Sequence, residues 1–145
     1  MSVRASYPAP PDLLAKIEAR YAAELTETEN RVFFFEYDER GSATGYVQML
    51  LINADNDPEL ANGRDIAHVH DLRVHQELQG TGIARRLMDR MEENARERGI
   101  RYLTLGVDDT NLRAIEFYRR RGYATFKTTP GRTDDELCFF MRKRL

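Results

Sequence analysis

One run of the chain restricts the fold more than any other: IAHVHDLRVHQELQGTGIARRLMDRMEENARERGIRYLTLGV, residues 66–107. IAHVHDLRV (66–74) has the composition and alternation of a strand. Glycines at 80 and 82 interrupt it. From about Thr81 to Arg98, Ile83, Ala84, Leu87, Met88, Met91 and Ala95 recur at helical spacing, and Gly99 stops the helix. RYLTLGV (101–107) is a second strand. A strand, helix and strand in succession close by a right-handed crossover, which places the two strands side by side and parallel.

The flanking segments extend this unit. YPAPP (7–11) reads as an extended lead-in, after which Asp12 caps a helix carrying Leu13, Leu14, Ile17, Tyr21 and Leu25. RVFFFEY (31–37) and TGYVQMLLI (44–52) are strands joined by a turn, and 53–65 is a polar, acidic loop. NLRAIEFYRRR (111–121) is a helix ended by Gly122, and YATFKT and ELCFFMRK form a last antiparallel pair. The order α, β, β, β, α, β, α, β, β describes an α+β fold with a mixed, mostly antiparallel sheet and helices on both faces. Without repeats or a linker, residues 1–145 are expected to form a single domain.

A formal charge of -2 argues against a general nucleic-acid binder. No apolar run is long enough to span a membrane, the N-terminus has no signal-peptide core, and the one cysteine, Cys138, has no partner for an internal disulfide. These features predict a cytoplasmic protein without membrane or metal, and Cys138 reads as a small strand residue.

The glycine turn leaves two readings. Gly80 and Gly82 let the backbone approach a ligand, and the following helix presents unpaired N–H groups and a positive dipole end, a site suited to a pyrophosphate. Arg85 and Arg86 supply charge for a further phosphate. A plain corner is the alternative. A nucleoside-triphosphate loop is excluded, because Ile83 and Ala84 stand where Lys and Ser/Thr are required; a dinucleotide fingerprint fails at Arg85.

Gln79-Gly80-Thr81-Gly82-Ile83-Ala84 resembles the Gln/Arg-x-x-Gly-x-Gly/Ala signature of the GNAT superfamily of acyl-CoA-dependent N-acyltransferases. NLRAIEFYRRRGY resembles the same superfamily's second helix motif, with Asn111, Ala114, Tyr118, Gly122 and Tyr123 in register. The specific resemblance covers 66–123; the N-terminus departs, with the usual first strand missing or reduced to VRAS. It implies acetyl-CoA as cosubstrate, lying in a V between the strands at 66–74 and 101–107. Leu72, Arg73 and Val74 would accompany the pantetheine, with backbone groups of Leu72 and Val74 pairing with it. Gln79, Gly80, Thr81, Gly82, Ile83, Ala84 and Arg85 would hold the phosphates. Asn111 would sit near the pantetheine arm, with helix capping as its alternative role.

Acylating an amine requires a base to take the ammonium proton and an acid to protonate the leaving thiolate. His68 and His70, two apart on a strand, project from one face with Leu72 and Val74 beyond them, while Asp71 and Arg73 point the other way. Packing is the alternative role for the pair. HVHDLRVH is similar to the matching strand of arylalkylamine (serotonin) N-acetyltransferases, which implies a His68–His70 proton relay; Tyr118 matches the superfamily's thiolate-protonating tyrosine. His75 is expected in solvent without a role.

The expected acceptor is a small amine or a protein amine; the acidic loop 53–65 reads either as a plain acidic surface loop or as an attraction for a cationic amine. Phe33, Phe34 and Phe35 must divide between two faces and read mostly as core. A noncatalytic acyl-CoA sensor remains the alternative function, and homodimer formation is left open.

Overall fold

The computed structural model describes residues 8–9, 30–52 and 56–145. The helix expected from Asp12, and with it the helix expected on the sheet's second face, lies outside them. Strands are β1 (Pro8–Ala9), β2 (Arg31–Tyr37), β3 (Ala43–Leu50), β4 (Ile66–His75), β5 (Tyr102–Asp108), β6 (Ala124–Pro130) and β7 (Leu137–Arg144). The helices are α1 (Ile83–Glu97) and α2 (Leu112–Arg120), with a 3₁₀ turn at Gln76–Leu78.

The sheet runs β2-β3-β4-β5-β7-β6. β4 and β5 are parallel, as the crossover requires, and every other neighbouring pair along this path is antiparallel. β4 and β5 stay paired only through Ile66↔Tyr102, Ala67↔Leu103 and His68↔Thr104. Beyond His68 the two strands part. β1 joins β4 farther along, parallel, with Pro8 opposite Val74 and Ala9 opposite His75. Val74 also pairs with Gly45 of β3, so β1 must occupy the opposite, β5-side edge.

A bulge explains how β4 turns. Asp71 has φ of 52°, and the β3–β4 register shifts between Tyr46 and Gln48. Before the bulge the helix-side core takes Ala67 and Val69; after it, Leu72 and Val74. This corrects the unbroken alternation expected from sequence: Leu72 and Val74 do not continue the face of His68 and His70, because the extra residue reverses the pleat.

Both described helices sink their apolar faces into one cluster. Leu87, Met88, Met91 and Ala95 of α1 and Ala114, Ile115 and Tyr118 of α2 join Val32, Phe34, Val47, Met49, Leu103 and Leu105. Gly45 permits close approach of β3 to α1: a Cβ there would lie 2.8 Å from Ile83 and 3.1 Å from Leu87. Phe34 faces this cluster, whereas Phe33 and Phe35 stack on the other side of β2, as consecutive strand residues must.

Candidate active site

Directly paired residues share a face of a sheet. Arg31, Leu50, His68, Thr104 and Arg142 therefore form one row, Phe33, Gln48 and His70 a second, and Phe35, Tyr46 and Arg73 a third. This face is turned away from the two described helices. It brings His68 and His70 together, as expected, and lines their approach with aromatic side chains.

His68 is buried, and its Nδ1 lies 2.8 Å from Thr104 Oγ1. Burial, reinforced by the neighbouring His70, pushes its pKa from 6.5 down to about 3, against a smaller upward pull from Asp57. His70 is exposed, and its Nε2 stands 3.5 Å from Asp71 Oδ2. Asp71 in turn lies 3.9 Å from Arg73. The bulge has thus carried the Asp71 carboxylate to the side of His70, where simple alternation had pointed it away.

The loop at 56–62 crosses this face. Leu60 and Ala61 pack on Leu50, Phe126 and Phe140, and the Leu60 carbonyl accepts from Thr104. Asp57 and Glu59 are met by Lys127, at 2.7 and 3.3 Å. The acidity expected to attract a cationic amine is partly neutralised by a cation of the chain itself, invisible until β6 and the loop are brought together.

A cavity of about 500 Å³ opens on the helix side of the glycine turn, lined by Val74, Leu78, Gln79 to Arg85, Arg113, Ala114 and Phe117. Gly80 and Gly82 adopt φ of 83° and 93°, the left-handed region that glycine enters at least cost. Gly82 caps α1 without a side-chain hydrogen bond, and the first turn holds no acid. The N–H groups of that turn therefore keep their appetite for an anion. The Gln79 side-chain nitrogen is buried without a hydrogen-bond partner among the described residues.

Arg85 lines this cavity and an adjoining depression with Arg113, Glu116, Phe117, Arg120 and Arg121. Arg86 does not share that role: it is paired with Glu36. Asn111 caps α2, accepting from Ala114 N at 3.2 Å, and Leu72 and Arg73 do not line the cavity. Tyr118 is not among the cavity-lining residues and is 1% exposed, with Phe117 and Tyr123 edge-on at 5.3 and 5.7 Å. Burial raises its pKa, with only a small opposing effect from Arg121. His75 caps the 3₁₀ turn, accepting from Glu77 N at 3.1 Å, rather than standing idle in solvent.

The family model described as "Acetyltransferase (GNAT) family" matches residues 3–123. The chain belongs to the GNAT family. The match reaches well beyond 66–123 and takes in the N-terminal segment that sequence reading had set apart. An uncharacterized N-acetyltransferase of Methanocaldococcus jannaschii is 35% identical over 68 residues, 47% of this chain and 30% of that protein. Another, encoded in the pepI 3' region of Lactobacillus delbrueckii subsp. lactis, is 28% identical over 109 residues, 75% of this chain and 60% of that protein. The chain thus spans between about a third and three fifths of these relatives. The crystal structure of nourseothricin acetyltransferase superposes with a TM-score of 0.65 at 29% identity, covering 79% of this chain and 65% of that one.

Thr104, Asp71 and Arg113 were not singled out from sequence. Thr104 is one polar residue in an apolar strand, and only the parallel register puts it against His68. Asp71 needed the bulge, for which a lone non-glycine residue carries no local signal.

Proposed function

We propose that the protein transfers the acetyl group of acetyl-CoA directly to a primary amine, small or carried on a protein. The observation that carries this reading is the cavity at the start of α1, where a glycine-flanked, uncapped helix end and the Gln79 amide await an anion. Acetyl-CoA, when bound, supplies the activated acyl group.

N–H groups from Gly80 to Ala84 hold the pyrophosphate, Arg85 and Arg113 stand ready for further phosphate charge, and Phe117 walls the cavity. β5 pairs with β4 from Ile66 to His68 and then parts from it, and β1 pairs with β4 at Val74 and His75, so the strands splay between these two pairings. The extended pantetheine adds there as a strand would, with β1 yielding at Val74.

On the other side of the split, the histidines divide the proton chemistry. His68 is too deeply buried to keep a proton near neutrality, so it serves as hydrogen-bond acceptor that aims the amine nitrogen. His70, exposed and beside Asp71, takes the ammonium proton and passes it to water. Tyr118, with its pKa raised, keeps its own proton and stabilises the leaving thiolate by donating a hydrogen bond. A protonless sulfur then collects the second proton released as the amide forms.

An amine-panel assay with acetyl-CoA, following free thiol, tests the reading. Turnover of a primary amine is the expected result, with the His68/His70 double alanine variant much slower across pH 6–9. Binding of CoA without turnover of any amine would favour the sensor instead.

A further inference from the structure

Thr104 is fully buried on β5, opposite His68 in the parallel register. Its hydroxyl has a single hydrogen and three polar neighbours: the Leu60 carbonyl at 2.7 Å, the Ala67 carbonyl at 3.4 Å and His68 Nδ1 at 2.8 Å. Carbonyl oxygens only accept. If the hydroxyl hydrogen pointed at Nδ1, Oγ1 would face the Leu60 oxygen at 2.7 Å with no hydrogen between them. That separation belongs to hydrogen-bonded oxygens. The hydrogen therefore goes to Leu60, and the contact with His68 must run the other way, with Nδ1–H donating to Thr104 Oγ1. A neutral imidazole carries one ring hydrogen, so Nε2 holds the lone pair.

We infer that Thr104 is a positioning residue: it locks His68 in the Nδ1–H tautomer and so reserves Nε2 to accept a hydrogen bond from the acyl-accepting nitrogen. The inference rests on the role proposed above for His68. The burial that keeps His68 neutral supports it, because a tautomer matters only in a ring that is not doubly protonated. The sequence LTL supports it too. Valine would fill the same volume in this strand, whereas a threonine must bury a hydroxyl that needs partners. Through Leu60 the same hydroxyl ties the ring to the loop that crosses the acceptor face.

The test reads the His68 ring directly, by ¹⁵N NMR of the whole chain labelled at histidine, with His68→Asn for assignment. Hydrogen on Nδ1 and a lone pair on Nε2 are expected in the wild type, a measurement that needs no Thr104 variant to fold. Thr104→Val should shift the ring toward the Nε2–H form and lower kcat roughly 10- to 100-fold, a share of the usual general-base contribution, with KM for acetyl-CoA unchanged. Thr104→Ser, which keeps the hydroxyl, should restore both the tautomer and most of the rate. An Nε2–H ring in the wild type overturns the inference, as does a Thr104→Val protein that retains wild-type kcat. Full activity in His68→Ala would instead remove the proposed role of His68 while leaving the tautomer result standing, so the two failures are separable.

Discussion

At His68 a free-chain pKa of 6.5 becomes about 3 in the fold, chiefly through burial. Between those values the unfolded chain binds a proton that the native state refuses, so the unfolded state gains on acidification. Stability should therefore fall as pH drops from about 6.5 toward about 3, and His68→Asn should flatten that slope in urea denaturation at several pH values. An equally steep slope in the variant would place the effect elsewhere. The same shift has a kinetic consequence: a rise of kcat/KM near neutrality cannot come from His68 and should persist in His68→Asn. Tyr118 makes a different demand. Tyr118→Phe should lower kcat about tenfold or more, within the range for losing an acid or a donor to a developing anion, while acetyl-CoA still binds by calorimetry. Its fully buried ring should keep its place without the hydroxyl.

Among the elements, the start of α1 and the edge of β4 decide what the chain binds. A side chain at Gly82 would meet both the φ of 93° and the Arg86 guanidinium at 3.2 Å. Gly82→Ala should cost about 1–2 kcal/mol of stability for the left-handed backbone, yet weaken acetyl-CoA binding by more than that loss explains. Isothermal calorimetry beside thermal melts separates the two. β1 poses the opposite case, since it sits on the edge where pantetheine is proposed to add. Removing residues 1–9 should tighten acetyl-CoA binding; a looser complex would make β1 part of the site rather than its competitor.

Across the molecule, Glu92 links elements far apart in sequence. Its carboxylate, 4% exposed, accepts from Tyr123 at 3.0 Å and Lys143 at 2.8 Å and pairs with Arg121 at 3.1 Å. Arg121 also reaches Asp89 at 2.8 Å. The network joins α1 to the end of α2, the start of β6 and β7, next to the edge-on Tyr118–Tyr123 pair. Glu92→Ala should destabilise the protein by an amount at or below the roughly 3–5 kcal/mol typical of breaking a buried ion pair, since Arg121 and Lys143 retain some access to water. Chemical denaturation measures it, and a loss under about 0.5 kcal/mol, the range of an ordinary surface change, would mean the network contributes little.

Helical periodicity, strand-type composition and the turn residues between segments located β2 to β7 and both described helices. The glycine turn, the uncapped start of α1 and the parallel crossover were legible as well: they are local, and local chemistry writes them. What tertiary structure decided depends on which strand lies beside which. Glu92 stands on an apolar helix face and becomes intelligible only when Arg121, Tyr123 and Lys143 close around it. Arg86 looked like a phosphate ligand until folding placed Glu36 beside it. The bulge at Asp71 reversed the pleat and moved a carboxylate next to His70, and the register of β5 set Thr104 against His68. A strand's sequence tells which of its residues share a face, but the hydrogen-bonded neighbour across the ladder is chosen by the whole sheet.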